Sequence, residues 1–114
     1  MTQHNLGRAY TTLAEVEEKG ENCERAIEAY EEALTVFTLE DIPMDYGKAQ
    51  CNLGNAYGKL AQVEDKAGNC KRAVAAYHQA LEVYTEDEFP ELHRMVVGNL
   101  KYTLETVCAG EGLD

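Results

Sequence analysis

Cysteines, histidines and carboxylates are the residues here that could do chemistry: the chain has 4 Cys, 3 His and 21 Asp or Glu. A metal or catalytic centre needs such groups to converge at set spacing. Cys23, Cys51, Cys70 and Cys108 form no C-x-x-C pair, and no histidine stands at zinc-finger distance from them. His4, His78 and His93 share no register and belong to no Ser-His-Asp or Cys-His arrangement. The acid runs Glu17-Glu18 and Glu86-Asp87-Glu88 fit no calcium-loop pattern and read as solvated helix ends. The glycines are too dispersed to cradle a phosphate. The expectation is therefore a protein that is not an enzyme, with no metal and no cofactor. All four cysteines are expected to be reduced thiols packed as small apolar groups. Cys23 and Cys70 would stand about 10 Å apart on stacked helices, beyond the reach of a disulfide.

A different chemistry is offered by Asn5, Asn52 and Asn99, which recur at a fixed step of 47 residues. A primary amide both donates and accepts hydrogen bonds, so it can pair with a peptide backbone whatever that peptide's sequence. Asparagine is also a poor helix former, so its return within helical sequence asks for a reason.

The elements that position these amides follow from the same step. Leu13 matches Leu60, Val16 Val63, Asn22 Asn69, Arg25 Arg72, Ala26 Ala73, Tyr30 Tyr77, Leu34 Leu81 and Pro43 Pro90, with no gap. The chain is an internal duplication. Each copy holds two stretches with apolar residues at three- and four-residue steps, the mark of amphipathic helices. "GEN" at 20–22 and "GN" at 68–69 break the chain, with Asn22 and Asn69 as expected N-caps. Pro43 and Pro90 suit the first turn of the helices that follow. Five helices are expected, over Thr2–Lys19, Asn22–Leu39, Pro43–Lys66, Asn69–Glu86 and Pro90–Cys108. Short breaks make neighbours antiparallel. The organisation is one domain: a first repeat over 1–43, a second over 44–90, an unpaired C-terminal helix over 90–108 and a flexible tail over 109–114.

These residues resemble the tetratricopeptide repeat. Leu6-Gly7-x-x-Tyr10, Ala26-x-x-x-Tyr30 and Pro43 follow its pattern, as do Leu53-Gly54-x-x-Tyr57, Ala73-x-x-x-Tyr77 and Pro90. The third copy keeps Asn99-Leu100, with Lys101 in the glycine place and Leu104 in the tyrosine place. Two features depart from the pattern. Gln3, Gln50 and Val97 fill the tryptophan slot, and the period exceeds the usual length of about 34 residues. The chain is thus similar to the longer-period variants found in kinesin light chains and in bacterial and archaeal multi-repeat proteins. HEAT-type repeats share the period range but lack the Leu-Gly-x-x-Tyr phrase. The resemblance implies an all-α, right-handed α-solenoid of antiparallel helix hairpins. Gly7 and Gly54 each cost about 1 kcal/mol against alanine in a helix. They mark places where a partner-helix aromatic such as Tyr30 or Tyr77 comes too close for a side chain, and Gly58 marks a second close approach.

The resemblance also implies function: a protein–protein interaction module whose concave groove, lined by the first helix of each repeat, holds a peptide or partner helix. The amides Asn5, Asn52 and Asn99 would face this groove or, alternatively, bond to the neighbouring repeat and organise stacking. Arg8, Asn55 and Tyr102 come one turn later, Lys59 a further turn on, and Lys48 one turn before Asn52. Arg8, Lys48 and Lys59 would make the groove basic and steer an acidic segment or free carboxylate toward it; the alternative is scattered solvated side chains.

Bulk composition fits this class. Net charge is −11, which repels nucleic acid and anionic membranes. No apolar run approaches the roughly 20 residues of a membrane span, and no signal peptide is recognisable, so a cytoplasmic location is expected. Two and a half repeats leave apolar surface at both ends. Val97, Leu104 and Val107 in particular have no evident cover. The expectation is accordingly a piece of a longer array or, as the alternative, a scaffold that forms homo-oligomers through its terminal helices.

Overall fold

The computed structural model describes residues 19–112. Its helices are α1 (Lys19–Ala33), α2 (Pro43–Leu60), α3 (Lys66–Val83) and α4 (Pro90–Glu105), and no strand occurs among the described residues. Residues 2–18 of the expected first helix, with Asn5 and Arg8, lie outside them, while Lys19 belongs to α1, so the break expected at 20–22 falls inside that helix.

Each helix packs on the next, and α2 also touches α4. Contacts give the directions. Gly47 at the start of α2 meets Tyr84 beyond the end of α3, while Gly54 meets Tyr77, so α2 and α3 run antiparallel. His93 meets Tyr84 and Cys108 meets Cys70, so α3 and α4 do the same. Cys51 meets Asn99 and Gly58 meets Thr103, pairs about one repeat apart, so α2 and α4 lie parallel. The equivalent helices α2 and α4 thus stand side by side in the same direction.

Glycine makes the α2–α3 contact possible. A Cβ on Gly54 would lie 2.8 Å from Tyr77 Cε1, and one on Gly47 2.9 Å from Tyr84 Cζ. The expected close approach of Tyr77 on Gly54 is therefore present, and a second one sits seven residues earlier. Tyr77 is 1% exposed and anchors a core with Cys51, Ala73, Ala80, Val83, Tyr84 and Val96. A companion core joins Cys23, Ala26, Ile27 and Tyr30 of α1 to Leu53, Ala56 and Leu60 of α2. Burying an aromatic of this size is worth about 2–3 kcal/mol, which exceeds the helix cost of the glycine that admits it.

Pro43 and Pro90 open α2 and α4 as expected. The other boundaries shift. Asn69 is not an N-cap: α3 begins earlier, capped by Asp65, whose carboxylate accepts from the Gly68 amide at 3.3 Å. Asp65 takes a left-handed φ of 39°, which short polar side chains tolerate better than most. Asn69 instead lies inside the helix, 4% exposed, donating to the Glu64 carbonyl at 2.9 Å and accepting from Arg72 at 3.0 Å. Asn22 likewise lies within α1, buried. Helix ends come earlier as well: α3 stops at Val83, because Tyr84 leaves the helix to cover Gly47 and donate to the Met44 carbonyl at 2.8 Å.

The cysteine expectation needs correction. Cys70 and Cys108 form a disulfide with Cα atoms 5.8 Å apart, while Cys23 and Cys51 are buried thiols. The distance argument concerned Cys23 and Cys70, which share a repeat place. The bonded partner, Cys108, instead stands one repeat after Ala61, and the antiparallel run of α4 brings it to the start of α3. Leu104 and Val107 find cover there, against Ala61, Cys70 and Cys108. Val97 does not, and is 37% exposed.

The outer side of α4 differs from that of α2. At the repeat places of Gly47, Gly54 and Gly58 it carries Arg94, Lys101 and Glu105, all exposed. Only Val96 and Thr103 of α4 are buried.

Candidate functional site

Lys48, Asn52, Asn55 and Lys59 fall at i, i+4, i+7 and i+11 of α2 and so share one stripe of that helix. Asn99 and Tyr102 occupy the matching stripe of α4. Lys48 and Tyr102 are exposed; Asn52, Asn55, Lys59 and Asn99 are half-buried.

Asn55 and Asn99 have internal partners. Asn55 Oδ1 accepts from the Tyr77 hydroxyl. That hydroxyl also lies 3.4 Å from Thr103 Oγ1, which leaves Thr103 to donate to it. Asn99 Nδ2 donates to Cys51 Sγ at 3.7 Å. A polar seam therefore runs where α2, α3 and α4 meet. Burial pushes the Tyr77 phenol up to about 12, the Thr103 bond offsetting part of the effect. Burial also raises the Cys51 thiol, against a lowering by Asn99. Both groups are neutral at physiological pH, which suits a seam that holds helices together.

A second feature was not foreseen. A groove of about 420 Å³ opens between α1 and α3 over the end of α2. Ile27 and Leu60 form its floor, Tyr57 stands in it, and Glu24, Glu28 and Glu31 rim it. The Tyr57 hydroxyl donates to Glu31 Oε2 at 3.2 Å, and burial, then Glu31, raises its pKa. Arg72 lies on the opposite wall, 3.0 Å from Asn69 Oδ1 and 3.4 Å from Asp65 Oδ2. This groove is acidic, whereas the stripe on α2 begins and ends in lysine. The sequence does show Glu24, Glu28 and Glu31 on one helix face. Their convergence with Tyr57, about four turns into the next helix, depends on the packing.

Among the described residues no three His, Cys, Asp or Glu side chains converge to hold a metal ion, and no helix is long and apolar enough to cross a membrane. Comparison of the chain with protein-family models, with curated proteins and with solved structures found no match.

Proposed function

We propose that the chain is a protein–protein interaction module of tetratricopeptide type, an α-solenoid segment that holds an extended or helical partner segment on the first helices of its repeats. The observation that carries this reading is the Lys48–Asn52–Asn55–Lys59 stripe: amides and cations aligned on a helix whose remaining residues are mostly core. Amides supply sequence-tolerant hydrogen bonding and the lysines select an acidic ligand. Asn5 and Arg8 would extend the surface by one repeat. No catalytic role is assigned.

The acidic groove supports a second reading, in which the segment captured is cationic. Its apolar floor and carboxylate rim suit a lysine or arginine stem with its charge held at the edge. Panning the full chain against a random peptide library separates the two. Acidic peptides that lose binding on Lys48→Ala with Asn52→Ala support the stripe. Basic peptides that lose binding on Glu28→Gln with Glu31→Gln support the groove. Failure to enrich any peptide, with a concentration-dependent increase in mass by light scattering, would replace both with the self-associating scaffold. A cytoplasmic location belongs to this proposal. Because disulfides are rare in the cytosol, the thiol state of Cys70 and Cys108 in freshly lysed cells bears on it directly.

A further inference from the structure

The disulfide between Cys70 and Cys108 closes a loop with a sequence separation of 38 that contains all of α4. Otherwise α4 is attached largely through half-buried side chains: Leu92 and Leu100 pack on the Tyr77 core, and Leu104 on Ala61 and Cys70. Only Val96 and Thr103 of this helix are buried, against eight residues of α2. The polar contacts that tie it to the rest of the described residues include the long Asn99–Cys51 contact, the Thr103–Tyr77 contact and the His93 ring, which meets the Tyr84 carbonyl and lies 3.8 Å from Glu86. Beyond its end, one ion pair at 3.9 Å joins Glu111 to Lys66. We propose that Cys70 and Cys108 form a thiol-operated latch, which holds α4 over the α2–α3 hairpin when oxidised and lets it lift when reduced.

The repeat register supports a purpose for this bond. Cys70 matches Cys23, but Cys108 matches Ala61. The place that holds alanine at the end of α2 therefore holds a disulfide partner beyond the end of α4, where Leu104 and Val107 pack on Ala61 and Cys70. Both half-cystines are buried, at 0% and 2% exposure. A reductant reaches them only when the packing of Leu104, Val107 and the segment around Cys108 opens. That segment is suited to local opening: Thr106, Ala109 and Gly110 are exposed, and Gly110 and Gly112 take positive φ.

The chemistry balances with a thiol reductant, either two molecules of a small monothiol or one dithiol. A thiolate attacks one sulfur of the bridge and expels the other as thiolate, giving a mixed disulfide. A second thiolate attacks the reductant's sulfur in that intermediate and releases the second cysteine. Two electrons and two protons end on Cys70 and Cys108, and the reductant leaves as its own disulfide. Lifting α4 removes Thr103 from Gly58 and Tyr77, and Asn99 from Cys51. The side of α2 next to the Asn52 and Asn55 stripe is then open; only this last consequence rests on the function proposed above.

Hydrogen exchange of the full chain, read by mass spectrometry with and without dithiothreitol, tests the latch without any ligand. The expected result is exchange about 10-fold faster or more across 90–105 after reduction, with 43–83 unchanged. Cys108→Ala restores the residue found at the equivalent place, so its packing is preserved. It should show the fast α4 exchange in either condition and ignore dithiothreitol. Unchanged α4 exchange on reduction overturns the proposal. So does equal acceleration over every helix, which makes the bond a global staple, and so does finding four alkylatable thiols in the denatured, air-exposed chain.

Discussion

α2 and α4 stand one repeat apart and lie parallel, yet they are built for different neighbours. α2 buries Gly47, Ala49, Cys51, Leu53, Gly54, Ala56, Gly58 and Leu60, with α1 on one side and α3 and α4 on the other. α4 buries two residues, and charged side chains hold the places of three of those glycines. The difference shows what a glycine in a helix is for. It is costly by itself, and at Gly47 and Gly54 an aromatic from the next helix fills the space it leaves. At the two equivalent places of α4, where no such aromatic arrives, Arg94 and Lys101 stand exposed.

Substituting equivalent places on the two helices breaks this contrast most sharply. Gly54→Val pushes a side chain into the Tyr77 ring and should cost about 3 kcal/mol or more, or prevent folding. Lys101→Val, at the same place on α4, should stay within about 0.5 kcal/mol. Urea melts of both variants give the comparison, and similar losses would refute the account of the glycines. A smaller effect is expected at the seam. Tyr77→Phe leaves the acceptor of Asn55 without its hydroxyl partner and should cost about 1–2 kcal/mol, whereas Tyr102→Phe on exposed α4 should be close to neutral.

The same hydroxyl predicts a pH dependence. Its folded pKa, about 12, is raised above the ordinary value of 10.0. The unfolded chain therefore loses this proton first. The stabilisation is complete below pH 10 and is lost as pH rises from there through 12. Chemical melts across this range should show a steeper decline for the parent chain than for Tyr77→Phe; parallel declines would remove Tyr77 from the explanation. The smallest expected effect is that of Asn99→Ala. Loss of its long bond to Cys51 should cost about 0.5–1 kcal/mol. A loss of that size without a change in peptide affinity would assign Asn99 to stacking, and the reverse would assign it to ligand.

Much of this architecture is legible in the sequence because it is written twice. The pairing of Gly54 with Tyr77 follows from a phrase that recurs, and Pro43 and Pro90 locate the helix starts by the same logic. The helix caps were harder, since Asp65 and Asn69 are both good cap residues and lie four positions apart. Only the packed turn, which buries the Asn69 amide against the Glu64 carbonyl, decides between them. The disulfide escaped because comparing like places pairs Cys70 with Cys23, whereas the bond joins unlike places across two copies. The acidic groove escaped for a related reason. Its walls come from three helices, and no periodicity within one helix announces which of its faces will meet another's.

The charged outer side of α4 also constrains how such a chain can change length. A hairpin laid on α4 as α3 lies on α2 would drive its tyrosines into Arg94 and Lys101. An extra unit therefore cannot be appended after 105 at no cost. A copy of residues 43–89 inserted between Phe89 and Pro90 meets no such obstacle, because it presents glycines to its own aromatics and leaves α4 on the outside. Each inserted unit would carry its own glycine–tyrosine pairs, while Arg94 and Lys101 would keep their exposed places on α4.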